Sequence, residues 1–236
     1  PFWLGFLVTL AFMFVLGVVL QLVVFRPMIG EPIISVIMVT VGLSIVLQAL
    51  AGWIFGTSAK SFPTVFETRS IEILGLNVQT PYVMSLVASL LIMFGFYLFF
   101  KYSRMGLAMR ATAFDQQVAQ SLGVSVEHVF ALSWAISAMV SALAGTVIAM
   151  VNAISSGLSL YGIKVFPAVI VGGLDSIVGG IVGGVIIGVL ENVAAFVDTE
   201  YLHWGNLLEI VPFYVLIIVL MIKPYGLFGT EDIERI

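Results

Sequence analysis

Charge is what this sequence has least of. Only 9% of its 236 residues are Asp, Glu, Lys or Arg, against a usual share of about 25%. Cysteine is absent altogether, which excludes a disulfide framework and any thiolate metal or redox site. No Gly-Lys pair occurs, so there is no Walker A phosphate loop. The two histidines, His128 and His203, are isolated near the ends of apolar runs and read as surface residues rather than metal ligands. A nucleophile elbow, a helix face with paired His and a chain of intramembrane acids are missing as well. The expectation is therefore no catalytic residue, no metal and no cofactor held by this chain. Nothing points to nucleic acid.

What is there is hydrocarbon. Hydrophobic residues make up 61% of the chain and the mean hydropathy is +1.19. A soluble domain of this size has too much surface to hide that share. The runs are long enough for helices rather than barrel strands. We therefore expect an all-α integral membrane protein, a polytopic helical bundle of about six membrane segments in one transmembrane domain, 1–236.

The expected spans are 2–25, 32–55, 81–100, 126–151, a broken segment 162–197, and 207–222. The first closes at Arg26-Pro27, where a charge meets a helix breaker. Gln21 lies close enough to that end to reach the interface. In the second, Thr40, Ser44, Gln48 and Gly52 recur every four residues, a small polar stripe that belongs against another helix or a watery path. Ser133, Ser137, Ser141 and Gly145 form a second such stripe in 126–151. Simple helix packing is the ordinary explanation of both. Between the second and third spans, alternation in 69–78 around Leu74-Gly75 predicts a small hairpin.

Segment 162–197 is too long for one span and is interrupted by Gly172-Gly173-Leu174-Asp175-Ser176, so a re-entrant pair of half-helices is expected. Gly180, Gly184 and Gly188 then make a small-residue ridge for close helix approach. Glu191 is the one acid within apolar sequence, by default a functional candidate; the alternative is a hydrogen-bonded side chain fixing helix contacts, with Asn192 a ready partner.

The polar loop 101–125 is the exception to all this. As a single helix it places Leu107, Ala111, Phe114, Val118 and Leu122 on one side, at offsets of 4, 7, 11 and 15 from the first. Gly123 ends it, and Ser125 is placed to cap the next helix, with Glu127 in its first turn. It is too polar to span a bilayer, and offers a surface to something outside the membrane or rests on lipid headgroups. With the Arg26 turn, this loop and the C-terminus on the cytoplasmic side, six of nine Lys and Arg residues lie inside, as the positive-inside rule requires. Polar stripes, a broken helix and a structured loop without an energy-converting motif imply a translocation pathway driven by a separate subunit.

The loop sequence GLAMRATAFDQQVAQSLGVSV resembles that of permease subunits of branched-chain amino acid ABC importers, of the LivH/LivM type. The shared positions are Gly106, Ala108, Arg110, Ala111, Asp115, Ala119, Leu122, Gly123 and Val124. The similarity extends to Arg26-Pro27, Thr40-x-Gly42-Leu43-Ser44, Ala144-Gly145, Gly172-Gly173-Leu174, 179–184, Glu191 and Pro224-x-Gly226-Leu227-Phe228-Gly229. It implies alternating access driven by ATP, with ATP and Mg bound on partner subunits. Those partners are two cytoplasmic ATPase subunits, a second permease subunit of the same or a different kind, and a periplasmic or extracellular substrate-binding protein. The implied setting is a prokaryotic cytoplasmic membrane, with the C-terminus inside. Arg104, Gly106, Arg110, Ala111, Asp115, Gln116, Leu122 and Gly123 would form the coupling helix. Thr40, Ser44, Gln48, Ser133, Ser137, Ser141, Gly172, Gly173, Asp175, Gly180, Gly184 and Glu191 would line the pathway or pack helices. Further helices are expected upstream of Pro1, and Asp175 stands where the family usually has a small residue. A urea or short-amide permease of the same family is the alternative; an ion-coupled transporter or channel, or an inactive scaffold, are the readings from other classes.

Overall fold

The computed structural model describes residues 2–61, 70–73, 76–152 and 154–230, in two units, Pro1–Leu158 and Ser159–Ile236. In the first, α1 (Phe2–Leu20) is apolar almost throughout. It widens into a π turn, Gln21–Phe25, and then tightens into a 3-10 turn, Arg26–Met28. Pro27 has no N–H to continue the ladder, which is why the regular helix gives out here. α2 (Ile33–Phe55) starts after Pro32 and stops at Gly56, whose φ of 82° no β-carbon tolerates easily. The hairpin is present: β1 (Ser70–Ile73) runs antiparallel to β2 (Leu76–Gln79), with Ile73 opposite Leu76. Its turn, Leu74-Gly75, and Arg69 lie outside the described residues.

α3 (Thr80–Tyr102) leads through Ser103 into α4 (Arg104–Phe114) and α5 (Gln116–Ser121), and α6 (Val126–Val151) follows. The core of this unit lies where α1 meets α6, at Gly17 and the fully buried Ala135. A β-carbon at Gly17 would stand 2.6 Å from the Trp134 carbonyl oxygen. Phe25 stacks on Trp134 with ring centres 3.9 Å apart. Gln21 does not reach for the interface as the sequence predicts. It is 1% exposed, because the π turn rotates it inward toward α6. Its Oε1 has no hydrogen-bond partner among the described residues, an omission that ordinarily costs about 1–3 kcal/mol.

In the second unit, α7 (Ser159–Gly172) and α8 (Ile177–Val197) are separated by a turn at Gly173, whose φ is +109°. The Ser176 hydroxyl caps α8 by accepting the Gly179 N–H at 3.0 Å. The break falls where the sequence puts it, but the two pieces are unequal. α8 has 21 residues, about 31 Å at 1.5 Å each, enough to cross a bilayer unaided. α7, with 14 residues, is not. A π turn, Asp198–Leu202, closes α8. The Asp198 carboxylate then accepts the backbone N–H of Trp204, Gly205 and Leu207 at 2.7, 3.2 and 3.3 Å, holding the entry to α9 (Leu207–Ile222). Among the described residues, five helices are long and apolar enough to span a membrane, with α7 and α9 as shorter apolar helices.

Candidate functional site

The loop 101–125 is not one helix. Asp115 is extended, with φ −154° and ψ 112°, and divides it into α4 and α5. Its Oδ1 accepts the N–H groups of Gln117 and Val118 at 2.8 and 2.9 Å. These satisfy two of the donors that every helix start leaves open. Ser103 caps α4 in the same way, accepting from Gly106 at 2.8 Å. Gly123 ends α5 with φ +86°, where Val124 N–H bonds back to the Ala119 carbonyl at 3.0 Å. The cap expected of Ser125 is not made. Its hydroxyl pairs instead with His128 Nδ1 at 2.6 Å, while Glu127 meets Arg26 at 3.0 Å in an exposed ion pair.

The faces of α4 and α5 are sorted in an unusual sense. Gly106, Met109, Thr112 and Ala119 are buried toward the protein. Gly106 is required by contact: a β-carbon would lie 2.7 Å from the Phe100 carbonyl oxygen. The predicted apolar side points outward, with Phe114 95%, Leu122 77%, Leu107 61% and Val118 53% exposed. Arg104, Arg110, Asp115 and Gln116 are exposed around it, and Ala111 is half-buried. This segment of helices too short and polar to enter a bilayer thus holds up an apolar surface with a polar rim.

Neither polar stripe is buried against the described residues of this chain. Along α2, Thr40 and Ser44 donate to their own helix, at Ile37 and Val41 carbonyls 2.7 Å away. None of Thr40, Ser44, Gln48 and Gly52 is buried. On α6, Ser133 is half-buried, while Ser137 and Ser141 are exposed; Ser133 and Ser141 likewise bond back along the helix, at 2.8 and 2.9 Å. Such back-bonding satisfies a hydroxyl in hydrocarbon without a neighbouring helix.

The glycine ridge of α8 is real but lies one residue over. Gly179 and Gly183 press against Gly172 and the Ala168 carbonyl of α7, leaving no room for a β-carbon, and Ile187 and Ala194 continue the buried face. Gly180, Gly184 and Gly188 face open space. Gly183→Ile is therefore expected to lower the stability of the chain in detergent by about 1–3 kcal/mol through overpacking. Gly184→Ile should change it by less than about 0.5 kcal/mol. Equal melting shifts for the two would remove this assignment.

The C-terminal motif locks the break. Leu227 and Phe228 N–H groups bond to the Val171 and Gly172 carbonyls at 2.9 and 3.0 Å, supplying partners for the open end of α7. Gly226 permits the approach, since its φ is +81° and a β-carbon would sit 2.6 Å from the Ile170 carbonyl oxygen. Asp175 is exposed and accepts a 3.4 Å hydrogen bond from Thr230. Nothing in the sequence spacing connects 171–175 with 226–230.

Glu191 finds a partner the sequence does not indicate. Lys164 of α7 places its Nζ 3.0 Å from Glu191 Oε1, with the side chains only 15% and 17% exposed. The contact is Coulombic rather than a directed hydrogen bond, since Oε1 has no hydrogen-bond partner among the described residues. Lys164 also lies 5.7 Å from the centre of the Tyr161 ring. Asn192, the expected partner, donates to its own helix at Gly188.

Residues 1–220 match the family model for the branched-chain amino acid transport system, permease component. The high-affinity branched-chain amino acid transport system permease protein LivH of Salmonella typhimurium is 29% identical over 224 residues, covering 92% of this chain and 71% of that protein. BraD, the corresponding permease protein of Pseudomonas aeruginosa, is 30% identical over 228 residues, covering 93% and 72%. A probable LivH of Methanocaldococcus jannaschii is 27% identical over 241 residues, covering 94% and 74%. No solved structure matches the chain.

Proposed function

The chain belongs to the family of branched-chain amino acid transport permease components, and from that premise we propose that it forms half of the translocation path of an ATP-driven importer for branched-chain amino acids. As a multi-pass membrane transport component it is no enzyme. The work is done by separate ATPase subunits that dock on α4 and α5. The observation that carries this reading is the outward apolar face of Leu107, Phe114, Val118 and Leu122 on two short capped helices. A lipid-resting connector would turn such residues to the membrane and leave its polar rim irregular. Here two caps and the buried contacts of Gly106, Met109 and Ala119 hold the face in a fixed shape, which suits a protein groove. A substrate-binding protein delivers the amino acid to the opposite side, and a second permease subunit completes the path.

The loop and the C-terminus lie in the cytoplasm on this reading, which the distribution of Lys and Arg supports and which requires α7 and α8 together to enter and leave the membrane on one side. ATP-driven closure pushes on α4 and α5, and the shove passes to α3 and α6, against which they are seated. The deciding experiment is uptake of radiolabelled leucine into proteoliposomes holding the permease, its co-purifying ATPase and the binding protein. Leucine should accumulate only with ATP inside the cytoplasmic compartment. Uptake driven by an ion gradient without ATP would establish the secondary-transporter reading instead, and accumulation of urea but not leucine the amide one.

A further inference from the structure

The corner between α3 and α4 carries two cations that no acid neutralises. Lys101 and Arg104 are both exposed, and neither has a carboxylate partner among the described residues. Lys101 is held rather than loose. Its ammonium donates to the Tyr97 hydroxyl at 2.9 Å and lies 5.2 and 5.5 Å from the centres of the Tyr97 and Tyr102 rings. One of its N–H groups is thus engaged and the others stay open, while the Tyr97 hydroxyl, an acceptor here, keeps its own hydrogen to give. Arg104 is fixed to the same end. A β-carbon at Gly106 would press on the Phe99 and Phe100 backbone, and the Ser103 cap sets the angle of the corner. The first turn of α4 therefore rests against the last turn of α3.

Depth decides what these cations meet. α3 has 23 residues, about 34 Å at 1.5 Å each, slightly more than the hydrocarbon core of a bilayer. Its last turn stands among the lipid phosphates, the layer where Tyr rings also settle. A choline headgroup carries its own cation and has little use for two more. A headgroup of net negative charge gains from both side chains, and the open N–H and O–H donors fit phosphate oxygens.

We propose that Lys101, Arg104 and the Tyr97 hydroxyl form a binding site for the headgroup of an anionic phospholipid at the α3–α4 corner. A lipid seated there ties the corner to the bilayer, so α4 and α5 are positioned from the membrane as well as from α6. The site uses neither the apolar face of α4 and α5 nor any ATPase.

Native mass spectrometry of the full chain in maltoside detergent tests this. One phosphatidylglycerol should be retained at lipid ratios where phosphatidylcholine with the same acyl chains is lost. Lys101→Gln should weaken retention about fivefold, and Lys101→Gln with Arg104→Gln about 25-fold, the effect of removing one and two cations from an anionic surface. Tyr97→Phe keeps the charge but removes the hydroxyl that aims it, and should weaken retention about threefold. Lys223→Gln removes an exposed cation at the end of α9 and should change retention by less than about twofold. Glycerol 3-phosphate, an anion without acyl chains, should not compete. Lys101 and Arg104 are exposed, so their variants should keep the unliganded melting midpoint. Equal retention of phosphatidylcholine, full retention by the double variant, an equal loss in Lys223→Gln, or competition by glycerol 3-phosphate would each overturn the proposal. The measurement needs no ATPase, so it stands or falls apart from the importer reading.

Discussion

Phe114→Asp will leave the permease in the membrane at its normal level and reduce ATP-coupled leucine uptake by about 30-fold or more, with Leu122→Asp close behind. The magnitude follows from the position. A large side chain that is 95% exposed on a rigid support has the character of an interface anchor, and truncating such an anchor costs about 2 kcal/mol or more. Placing a carboxylate in the partner's apolar groove adds its desolvation. The fold is spared, because the contacts that seat α4 and α5 are on the other side, at Gly106, Met109, Thr112 and Ala119. Arg110→Glu, in the polar rim, should have a smaller effect that fades with salt.

Asp115 separates docking from local structure. Its carboxylate is already engaged with two backbone N–H groups of α5. Asp115→Ser keeps a cap and should transport nearly normally. Asp115→Ala loses the cap, worth about 1 kcal/mol, and should lower uptake by loosening α5. Uptake assays set against membrane protein level by immunoblot test the whole series. Normal transport by Phe114→Asp and Leu122→Asp together would mean that nothing docks on this face.

The second large effect concerns the pair between α7 and α8. Lys164→Met or Glu191→Leu alone should destabilise the chain by about 3–5 kcal/mol, because each strands a charge in a water-poor interface. The double variant should recover most of that loss, since two apolar groups of similar size need no partner. Screening by solvent is weak, the two side chains being 15% and 17% exposed. Unfolding midpoints in detergent, arranged as a double-mutant cycle, give the coupling directly. Additive losses in the cycle would show that the two residues act separately.

Much of this was legible in the residues. Hydropathy marked the five long apolar helices among the described residues, because removing a long apolar run from water outweighs every other term. The glycine cluster at 172–176 placed the break, and Gly123 the end of α5, because backbone geometry is a local property. The hairpin strands were also local, carried by alternation on either side of Leu74-Gly75.

What escaped was rotation and partnership. Four-residue spacing defined ridges on α8 equally well through Gly179 and Gly183 or through Gly180 and Gly184. Only contact with Ala168 and Gly172 chose the first pair. The same uncertainty reversed Gln21, which lies inward because a π turn shifts the helix phase there. It also hid Lys164 from Glu191, which are 27 positions apart and on different helices. Along 101–125, periodicity grouped Leu107, Phe114, Val118 and Leu122 but did not reveal the break at Asp115. The sequence by itself determined which segments leave water and where the backbone must bend. The tertiary structure decided which way each helix faces, because within lipid apolar side chains gain little by choosing protein over hydrocarbon, and close backbone contact, ion pairing and capping settle the rotation.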